Sequence, residues 1–309
     1  MKFNRRQLNL WGIPQVEEII VPAMPYMGSK RKLANKILNA IYCAIGDFDT
    51  LYDLFGGGAA MSVAALNAGH KVFYNEKNTS ICELLRYIQR GGKLPNRWVS
   101  REEFKEKVSG NDWFAGFLKS CWSFGNNQKS YLFGADIEQL KQLAHNVVIN
   151  RDNTALQELN ALLKCELTMP RNRFDFRGKL RATAIKRFDL EPPERLEQLQ
   201  QLERLEQLEQ LERLNISCGD YDKVKIKSNS VVYCDPPYAG TAEYKEGAFD
   251  HAKFLQWCRD CKKPVFVSEY KAPADFKVVA EFEHRSTLSA TNKAKKTIEK
   301  VYWNGRGLQ

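Results

Sequence analysis

The stretch TLYDLFGGGAAMSVAALNAGHKVFYNE, residues 50–76, decides the fold of this chain. Its apolar start predicts a short buried strand over residues 50–54, and the glycines that follow predict a tight turn. Residues 59–68 predict a helix of small residues that ends at Gly69, and residues 71–74 predict a second strand. Strand, glycine turn, helix, strand and acid, in this order, predict a nucleotide-binding βαβ unit.

The turn FGGG at residues 55–58 indicates where a cofactor binds. Gly56 and Gly58 let the backbone come close to a ligand at the mouth of the sheet, and Phe55 beside them is a candidate contact. Glu76 lies twenty residues beyond Gly56, where a carboxylate can accept hydrogen bonds from ribose hydroxyls. This much fits NAD as well as S-adenosylmethionine.

Two residues beside the turn favour S-adenosylmethionine over a dinucleotide. Met61 stands where the GxGxxG fingerprint needs its third glycine, so a pyrophosphate would fit poorly. Asp53 would repel a pyrophosphate, whereas it can bind the ammonium of a methionine moiety. The alternative for Asp53 is an ordinary acid at the end of a strand.

Two more segments extend the predicted cofactor site. The segment PYMGSK contains Tyr26, which can line the sulfonium end of the cofactor, and Lys30, which can pair with its carboxylate. The segment GDY at residues 219–221 stands at the end of another predicted strand. There, Asp220 can accept a hydrogen bond from the cofactor's adenine amine.

The tetrapeptide Asp-Pro-Pro-Tyr, residues 235–238, directly follows an apolar run and carries the predicted chemistry. Asp235 and the Pro236 carbonyl can accept both hydrogens of a planar exocyclic amine, while the Tyr238 ring stacks on the base. Two acceptors draw the nitrogen towards tetrahedral geometry and free its lone pair for attack. The two prolines stiffen the loop, so little ordering entropy is lost on binding. The plainer alternative is a turn that closes a buried strand.

Length, composition and charge describe an ordinary globular chain with a basic surface. Its 309 residues, 43% of them apolar, can form one large or two modest domains. No run of 18 apolar residues occurs and the first six residues lack a signal-peptide core, so we expect a cytoplasmic protein without a membrane segment. The net charge of +10 favours a polyanionic partner. Only two of the eight cysteines form a CxxC pair, so we expect reduced thiols and no metal site.

The pattern changes in the middle of the chain. Residues 94–190 mix aromatic and basic residues without strand-helix alternation, and residues 167–187 hold seven basic residues against one acid. This cluster is typical of a polyanion-binding surface or of a solvated basic face. Leucine then recurs at every third position over residues 196–214, a period that gives no single apolar face on an α-helix and excludes a heptad coiled coil. We interpret this element as a helical insertion produced by repeat expansion, with an oligomerisation surface as the alternative.

These patterns predict the organisation of the chain. We expect a first, cofactor-binding part of the catalytic domain over residues 1–93, an inserted domain over 94–190, the leucine-triplet insertion over 191–214, and the second part of the catalytic domain over 215–309. Further helices are predicted over residues 34–45, from the NEKN segment at 75–78 to about residue 89, and over 249–261. Further strands are predicted over residues 231–233, 264–268, 278–282 and 298–303.

Together the motifs resemble those of the S-adenosylmethionine-dependent N6-adenine DNA methyltransferases of the Dam (D12) class. The matching segments are PYMGSK at 25–30, DLFGGGA at 53–59, NEKN at 75–78, GDY at 219–221, VVYCDPPY at 231–238 and FVSEY at 266–270. Their order is that of the α-group of the family, with the cofactor elements first, an insertion next and the catalytic tetrapeptide last. The resemblance covers most of the chain.

The resemblance implies an α/β fold and a reaction. The fold is a Rossmann-like class I methyltransferase sheet of seven mostly parallel strands, with helices on both faces, one antiparallel strand near its end and an inserted, mainly helical target-recognition domain. The reaction moves a methyl group from S-adenosylmethionine to the N6 amine of an adenine flipped out of duplex DNA. The catalytic residues would be Asp235, Pro236, Pro237 and Tyr238. The partner would be double-stranded DNA in a bacterial or phage-infected cell, at the nucleoid, and no obligate protein partner is evident.

The resemblance also points to DNA-contacting residues in the inserted region. Asparagine and arginine read adenine and guanine edges bidentately, whereas other basic residues hold phosphates. The candidates are Asn126, Asn127, Lys129, Arg171, Arg173, Arg177 and Lys179.

Three rival functions remain open at this point. The nearest is N4-cytosine methylation, which poses the same chemical problem, although the cytosine enzymes of this type usually carry serine where Asp235 stands. The second is a catalytically idle DNA-binding relative, and the third is an NAD-dependent dehydrogenase. Restriction-modification, mismatch marking and phage self-protection would all use the same site.

Overall fold

A computed structural model gives the fold, and it describes residues 6–171, 212–238, 249–286 and 295–308. Two short strands, β1 (Gln7–Leu8) and β2 (Pro14–Gln15), form an antiparallel hairpin. The main sheet has the order β5-β4-β3-β6-β7-β9-β8. Its strands are β3 (Thr50–Asp53), β4 (Lys71–Glu76), β5 (Leu214–Cys218), β6 (Ser230–Cys234), β7 (Val265–Glu269), β8 (Lys277–Ser286) and β9 (Lys295–Trp303).

The sheet is mostly parallel. Strands β5, β4, β3, β6 and β7 run in one direction, whereas β9 lies antiparallel between β7 and β8. One antiparallel strand near the edge of a seven-stranded parallel sheet is the arrangement that the resemblance implied, and it is confirmed. Because β3 has β4 on one side and β6 on the other, the winding reverses at β3, and the carboxyl ends of these strands border a crevice.

Helices cover both faces of the sheet. The α-helices in the described residues are α1 (Ala34–Ile45), α2 (Ala60–Ala68), α3 (Thr79–Gln89), α4 (Arg101–Lys107), α5 (Trp113–Cys121), α6 (Glu138–Ile149), α7 (Asn153–Leu163) and α8 (His251–Asp260). The helix predicted over residues 34–45 is confirmed with the same bounds. None of the helices in the described ranges has the length and hydropathy needed to cross a bilayer.

Strand β6 shows how the sequence divides its side chains between the two faces. Val231 and Tyr233 belong to the large core that includes α1, α2 and α3. Val232 and Cys234 belong to a second core, which they share with Phe254 of α8. Side chains alternate across a strand, so a strand buried on both faces is a continuous apolar run, as the sequence showed.

The described part of the inserted region is mainly helical, as predicted, and packs against the sheet domain. Helix α5 lies close to α3, since a Cβ placed at Gly116 would come within 2.1 Å of the Ser80 carbonyl oxygen. The Tyr87 and Trp113 rings stack between the same two helices with centroids 3.9 Å apart. The inserted helices and the sheet face share one apolar core. The domain boundaries drawn from the sequence stay a prediction.

Several elements differ from their predicted extent. Strands β8 and β9 were predicted over five and six residues, but they span ten and nine because they pair with each other as a long antiparallel ladder. The additional paired residues include polar ones, which a prediction from apolar residues does not include in a strand. The β1–β2 hairpin was missed because its strands have two residues each. The Asn9 side-chain oxygen accepts from two backbone N–H groups and fixes its turn.

Most of the leucine-triplet element, together with part of the basic cluster, lies outside the described residues. Its last leucine, Leu214, is the first residue of β5 and is buried. Strand β5 therefore begins inside the segment predicted as an insertion. It ends directly before Gly219, which confirms the predicted strand end at that position.

The close approach of α5 and α3 gives a stability prediction. In an exposed helix, Gly116→Ala would raise the free energy of unfolding by about 1 kcal/mol. Here the new methyl group meets backbone, so we expect that free energy to fall by about 2–3 kcal/mol instead. Urea unfolding followed by circular dichroism measures it. The matched control is Gly307→Ala, where a methyl group meets nothing within 4 Å; equal stability of the two variants would contradict the packing of α5 on α3.

Candidate active site

Three acids that the sequence singled out lie at one edge of the sheet. Asp53 ends β3, Glu76 ends β4, and Asp235 directly follows β6. Asp53 is in register with Tyr74 of β4 and with Tyr233 of β6. The carboxyl ends of neighbouring parallel strands thus bring these acids to the point where the sheet reverses its winding, which is where ligands bind in open α/β sheets.

The glycine turn is shaped by its protein neighbours. A Cβ at Gly56 would lie 2.1 Å from the Tyr74 ring, and one at Gly58 would lie 2.6 Å from the Met24 carbonyl oxygen. Gly57 has φ +45° and would bring a Cβ within 2.9 Å of the Tyr26 ring. The glycines therefore let the chain itself pack closely at this edge, in addition to the ligand approach expected from the sequence.

Asp53 is a buried carboxylate that caps a helix. Its Oδ2 accepts hydrogen bonds from the Ser62 backbone N–H at 3.1 Å and from the Ser62 hydroxyl at 2.7 Å. Ala59, which precedes α2, has no capping side chain, so Asp53 satisfies an N–H of the first turn from the neighbouring strand. Burial raises the pKa of Asp53 to about 7 despite these hydrogen bonds.

Glu76 braces the glycine turn. Its Oε2 accepts from the Gly57 N–H at 3.0 Å, and its Oε1 accepts from the Asn78 N–H at 2.9 Å. Burial raises the pKa of this carboxyl, while the backbone donors oppose that shift. Each oxygen retains a second lone pair, so the carboxylate can still accept from a ligand.

Lys30 binds two carboxylates of the chain itself. Its Nζ lies 2.8 Å from Asp235 Oδ2 and 3.5 Å from Glu299 Oε1, and it donates to the Gly28 carbonyl at 3.1 Å. The Lys30 side chain is only 8% exposed. Burial alone would lower the pKa of Lys30, but the two carboxylates outweigh it and the pKa lies above its usual range. The ammonium is therefore fixed and charged.

The second oxygen of Asp235 stands out. Asp235 Oδ1 is buried and has no hydrogen-bond partner among the described residues, although Oδ2 is bound by Lys30. A buried carboxylate oxygen without a donor is costly unless a ligand supplies one. This oxygen is thus a ready acceptor for a donor group on a substrate.

The ring of Tyr238 is held from two sides. Lys30 Nζ lies 5.0 Å from the ring centroid, and the Tyr270 ring meets it edge to face with centroids 4.7 Å apart. Burial raises the pKa of the Tyr238 phenol, and the nearby charges of Asp235 and Glu299 raise it further. Lys30, Asp235, Tyr238 and Glu299 therefore form one cluster.

The remaining predicted cofactor residues surround the same edge. Phe55 packs against the Tyr221, Phe249 and Phe254 rings, with centroids 5.3–5.6 Å apart. Asn75 Nδ2 donates to the Gly219 carbonyl at 2.9 Å, which ties the GDY segment to β4. Asp220 itself pairs with Lys77 at 2.7 Å, and both side chains are exposed.

The predicted DNA-contacting asparagines lie on a loop beside this edge. The loop of residues 123–131 is closed by pairing between Ser123 and Tyr131. Asn126 has φ +57°, a left-handed conformation that asparagine tolerates. The Asn127 side chain accepts from the backbone N–H of Lys129 and of Ser130, each at 2.9 Å.

This loop is fixed next to the acidic edge. Asn78 Nδ2 donates to Gln128 Oε1 at 2.7 Å, and Asn78 lies two residues beyond Glu76. Among the other candidates, Arg171 is an exposed residue at the end of a described range. Arg173, Arg177 and Lys179 lie outside the described residues.

Sequence reasoning missed Glu299 and Tyr270. Glu299 is a 5% exposed carboxylate on β9, two residues before the fully buried Val301. An acid on the inward face of a strand was the available signal, because such a residue is rarely buried without a partner. Tyr270 directly follows β7 within the FVSEY segment, which the sequence had marked but not assigned.

One family of known proteins matches most of the chain. The model of the family described as D12 class N6 adenine-specific DNA methyltransferases matches residues 26–263, more than half of the chain. No curated protein matches the sequence significantly.

One similar solved structure is a candidate RNA methyltransferase from Pyrococcus horikoshii. It is 11% identical, covers 90% of this chain and 84% of its own, and has a TM-score of 0.35. A likeness of this size supports no conclusion about the present chain.

The buried Asp53 carboxyl gives a pH prediction. Its folded-state pKa of about 7 lies above the ordinary value of 3.8, so the folded protein holds a proton that the unfolded chain releases. The stabilisation is present below about pH 4 and is lost as the pH rises through 7. Asp53→Asn keeps the acceptor for Ser62 but removes this titration.

We therefore expect the free energy of unfolding of the wild type to fall relative to that of Asp53→Asn by roughly 3 kcal/mol between pH 4 and pH 8. Urea unfolding of both proteins across this range measures the difference. The exposed Asp275→Asn variant is the control and should follow the wild type. A constant difference between wild type and Asp53→Asn would show that Asp53 titrates normally.

Proposed function

The chain belongs to the D12 class N6 adenine-specific DNA methyltransferases, and on this premise we propose that it moves a methyl group from S-adenosylmethionine to the N6 amine of an adenine flipped out of duplex DNA. Membership of the family establishes DNA methyltransferase activity on adenine. It sets aside the N4-cytosine and dehydrogenase alternatives. The donor, the flipped base and the duplex form of the substrate are what we propose.

The acidic edge of the sheet supports S-adenosylmethionine as the donor. Asp53, Glu76 and Asp235 lie together there, and a cationic cofactor is attracted to carboxylates that would repel a pyrophosphate. When bound, S-adenosylmethionine supplies a methyl group on a sulfonium, which is a good leaving group. The chain then needs neither a metal ion nor a covalent enzyme intermediate for the transfer.

We assign the chain's residues to the parts of this cofactor. Asp53 would bind the ammonium, because a cation beside a carboxyl of raised pKa favours its charged form. Glu76 would accept hydrogen bonds from the ribose hydroxyls. Phe55, Tyr26, Gly56, Gly58 and Asp220 would complete the pocket, with Asp220 reaching the adenine amine.

Lys30 receives a different assignment from the one expected from sequence. Its Nζ is engaged by Asp235, Glu299 and the Gly28 carbonyl. Two carboxylates of the chain already neutralise this ammonium, which disfavours a third carboxylate from the cofactor. We propose that Lys30 serves Asp235, which it orients by binding Oδ2.

The unpaired Asp235 Oδ1 is the single observation that carries the proposed reaction. This oxygen and the Pro236 carbonyl would accept the two hydrogens of the N6 amine, which frees the nitrogen lone pair for attack. The Tyr238 ring, fixed by Lys30 and Tyr270, would stack on the extruded base. As the new N–C bond forms, the nitrogen gains positive charge, and Asp235 would accept the proton that it then loses.

The loop of residues 123–131 would contact the DNA around the extruded base. It is held beside the acidic edge by the Asn78–Gln128 hydrogen bond, and it exposes Lys129. Asn126, Asn127 and Arg171 are the proposed base-edge contacts, with Arg173 among the residues beyond the described ranges. Lys129, Arg177 and Lys179 would hold phosphates.

Sequencing of plasmid DNA tests the whole proposal. The gene is expressed in a host that lacks DNA methylation, and its plasmid is sequenced for modified bases. We expect N6-methyladenine at one recurring sequence. Unmodified DNA from cells that contain folded protein, or modified cytosine, would refute the proposal.

Asp235→Ala should abolish the reaction while sparing the fold. Glu299 still neutralises Lys30 in this variant, so no buried charge is left alone. We expect transfer of labelled methyl groups to DNA to fall by about 1,000-fold or more, with cofactor affinity in calorimetry within about threefold of wild type. Asp275→Ala, on the surface, is the matched control. Near-normal turnover by Asp235→Ala would refute the assignment.

Lys129→Ala should weaken DNA binding through one lost phosphate contact. The affinity is measured by fluorescence anisotropy as a function of salt concentration. We expect the slope of log K against log salt to fall in magnitude by about one, with unchanged sequence preference in the methylation product. An unchanged slope would place Lys129 outside the DNA interface. Lys262→Ala, on the exposed surface after α8, is the control.

A further inference from the structure

We propose that Glu299 is a positioning residue of the methyl transfer, acting through Lys30 and Tyr238 to keep Asp235 Oδ1 open for the amine. This inference rests on the proposed function and assigns a role to a residue outside all of the family-like motifs. Glu299 lies on β9, which runs antiparallel to both of its neighbours, and it is in register with Phe282 of β8. It is 5% exposed, so its carboxylate is buried in the site.

The geometry around Lys30 gives Glu299 its first task. Two acceptors lie within hydrogen-bond distance of Lys30 Nζ, Asp235 Oδ2 at 2.8 Å and the Gly28 carbonyl at 3.1 Å. Glu299 Oε1 lies 3.5 Å away and forms an ion pair with the ammonium instead of a hydrogen bond. Glu299 thus shares the charge of Lys30 with Asp235, whose Oδ1 is left without a donor. In a variant that lacks the Glu299 charge, we expect Lys30 to shift towards Oδ1, the oxygen that the substrate amine needs.

The Tyr238 hydroxyl gives Glu299 its second task. The Glu299 carboxylate is near enough to this hydroxyl for its charge to help raise the pKa of the phenol. The ring of the same tyrosine is packed between Lys30 and Tyr270. One carboxylate thus acts both on the ammonium that orients Asp235 and on the residue whose ring would stack on the base.

The charged and titratable groups around the ammonium come from several elements. Asp235 and Tyr238 follow β6, and Glu299 lies on β9. More distant are Tyr233 of β6 and Asp53 of β3, both of which sense Asp235 electrostatically. Glu269 and Tyr270 stand at the end of β7, and Arg31 adjoins Lys30. Of these, Asp235 and Glu299 raise the pKa of Lys30 against the effect of burial.

Glu299→Gln is the variant that tests the role, because it keeps the reach of the side chain and removes its charge. We expect kcat for methylation of a short DNA duplex to fall about tenfold or more, with calorimetric cofactor affinity within twofold of wild type. The matched control is Glu281→Gln, an exposed carboxylate on β8 that pairs with Lys300. It should retain kcat within twofold.

The pH profile separates positioning from a packing defect. Loss of the Glu299 charge lowers the pKa of Lys30. Lys30 should therefore lose its proton at a lower pH in Glu299→Gln, and the loss of activity on the alkaline side of the pH profile should begin at a lower pH than in wild type. The same change is read without turnover from the Lys30 signal in NMR of protein labelled at lysine Cε, with Lys30→Arg as the assignment control. We expect the Lys30 titration midpoint to drop by about one pH unit. A packing defect would lower kcat equally at every pH and leave that midpoint in place.

Two further results would decide the matter. If Glu299→Gln does not fold, Glu299→Asp is tested instead, because it keeps the charge and shortens the side chain. We expect kcat of Glu299→Asp to fall, and a wild-type kcat for this variant would overturn the inference. If wild-type protein methylates adenine and Glu299→Gln matches it at every pH, the role of Glu299 is wrong while the proposed function stands. Absence of transfer by the wild type would overturn the proposed function itself.

Discussion

The burial of several carboxylates at one edge of a sheet is the constraint on which the rest of this site depends. Like charges in a poorly hydrated place repel one another, and each must be offset by donors that the fold supplies. Asp53 receives them from the first turn of α2, Glu76 from the glycine turn, and Asp235 from Lys30. The strands position the acids, and the acids in turn fix the start of α2, the glycine turn and the PYMGSK segment through these contacts.

The strand order of the sheet brings these separate carboxylates together in one site. Strands β4 and β6 flank β3, so residues far apart in the chain end at neighbouring positions. Strand β9 then enters antiparallel and brings Glu299 to the same place from the opposite direction. A cationic methyl donor and an amine that becomes cationic during transfer both suit an edge rich in carboxylates, which is why the proposed reaction and the electrostatics of the fold agree.

Local pattern was enough to predict most of the fold but only part of the site. The bounds of α1 and the βαβ unit over residues 50–76 follow from short-range periodicity and from Gly69 as a cap, so they could be predicted. Lys30 was singled out from the sequence, but its contact with Asp235 could not be predicted, because that contact joins segments that only the sheet brings together. Glu299 was missed for the same reason, and the long β8–β9 ladder was underestimated because pairing partners decide the length of a strand more than composition does.

The place of β9 in the sheet also bears on how the enzyme is made in the cell. This strand is synthesised after all the other described strands, yet it inserts between β7 and β8 and carries the carboxylate that shares Lys30. A nascent chain on the ribosome can form the glycine turn and the Asp-Pro-Pro-Tyr turn before β9 emerges. Until then β8 has no other described strand to pair with, and Lys30 lacks the charge of Glu299. The cluster around Lys30 is therefore complete only after β9 has been synthesised and has joined the sheet.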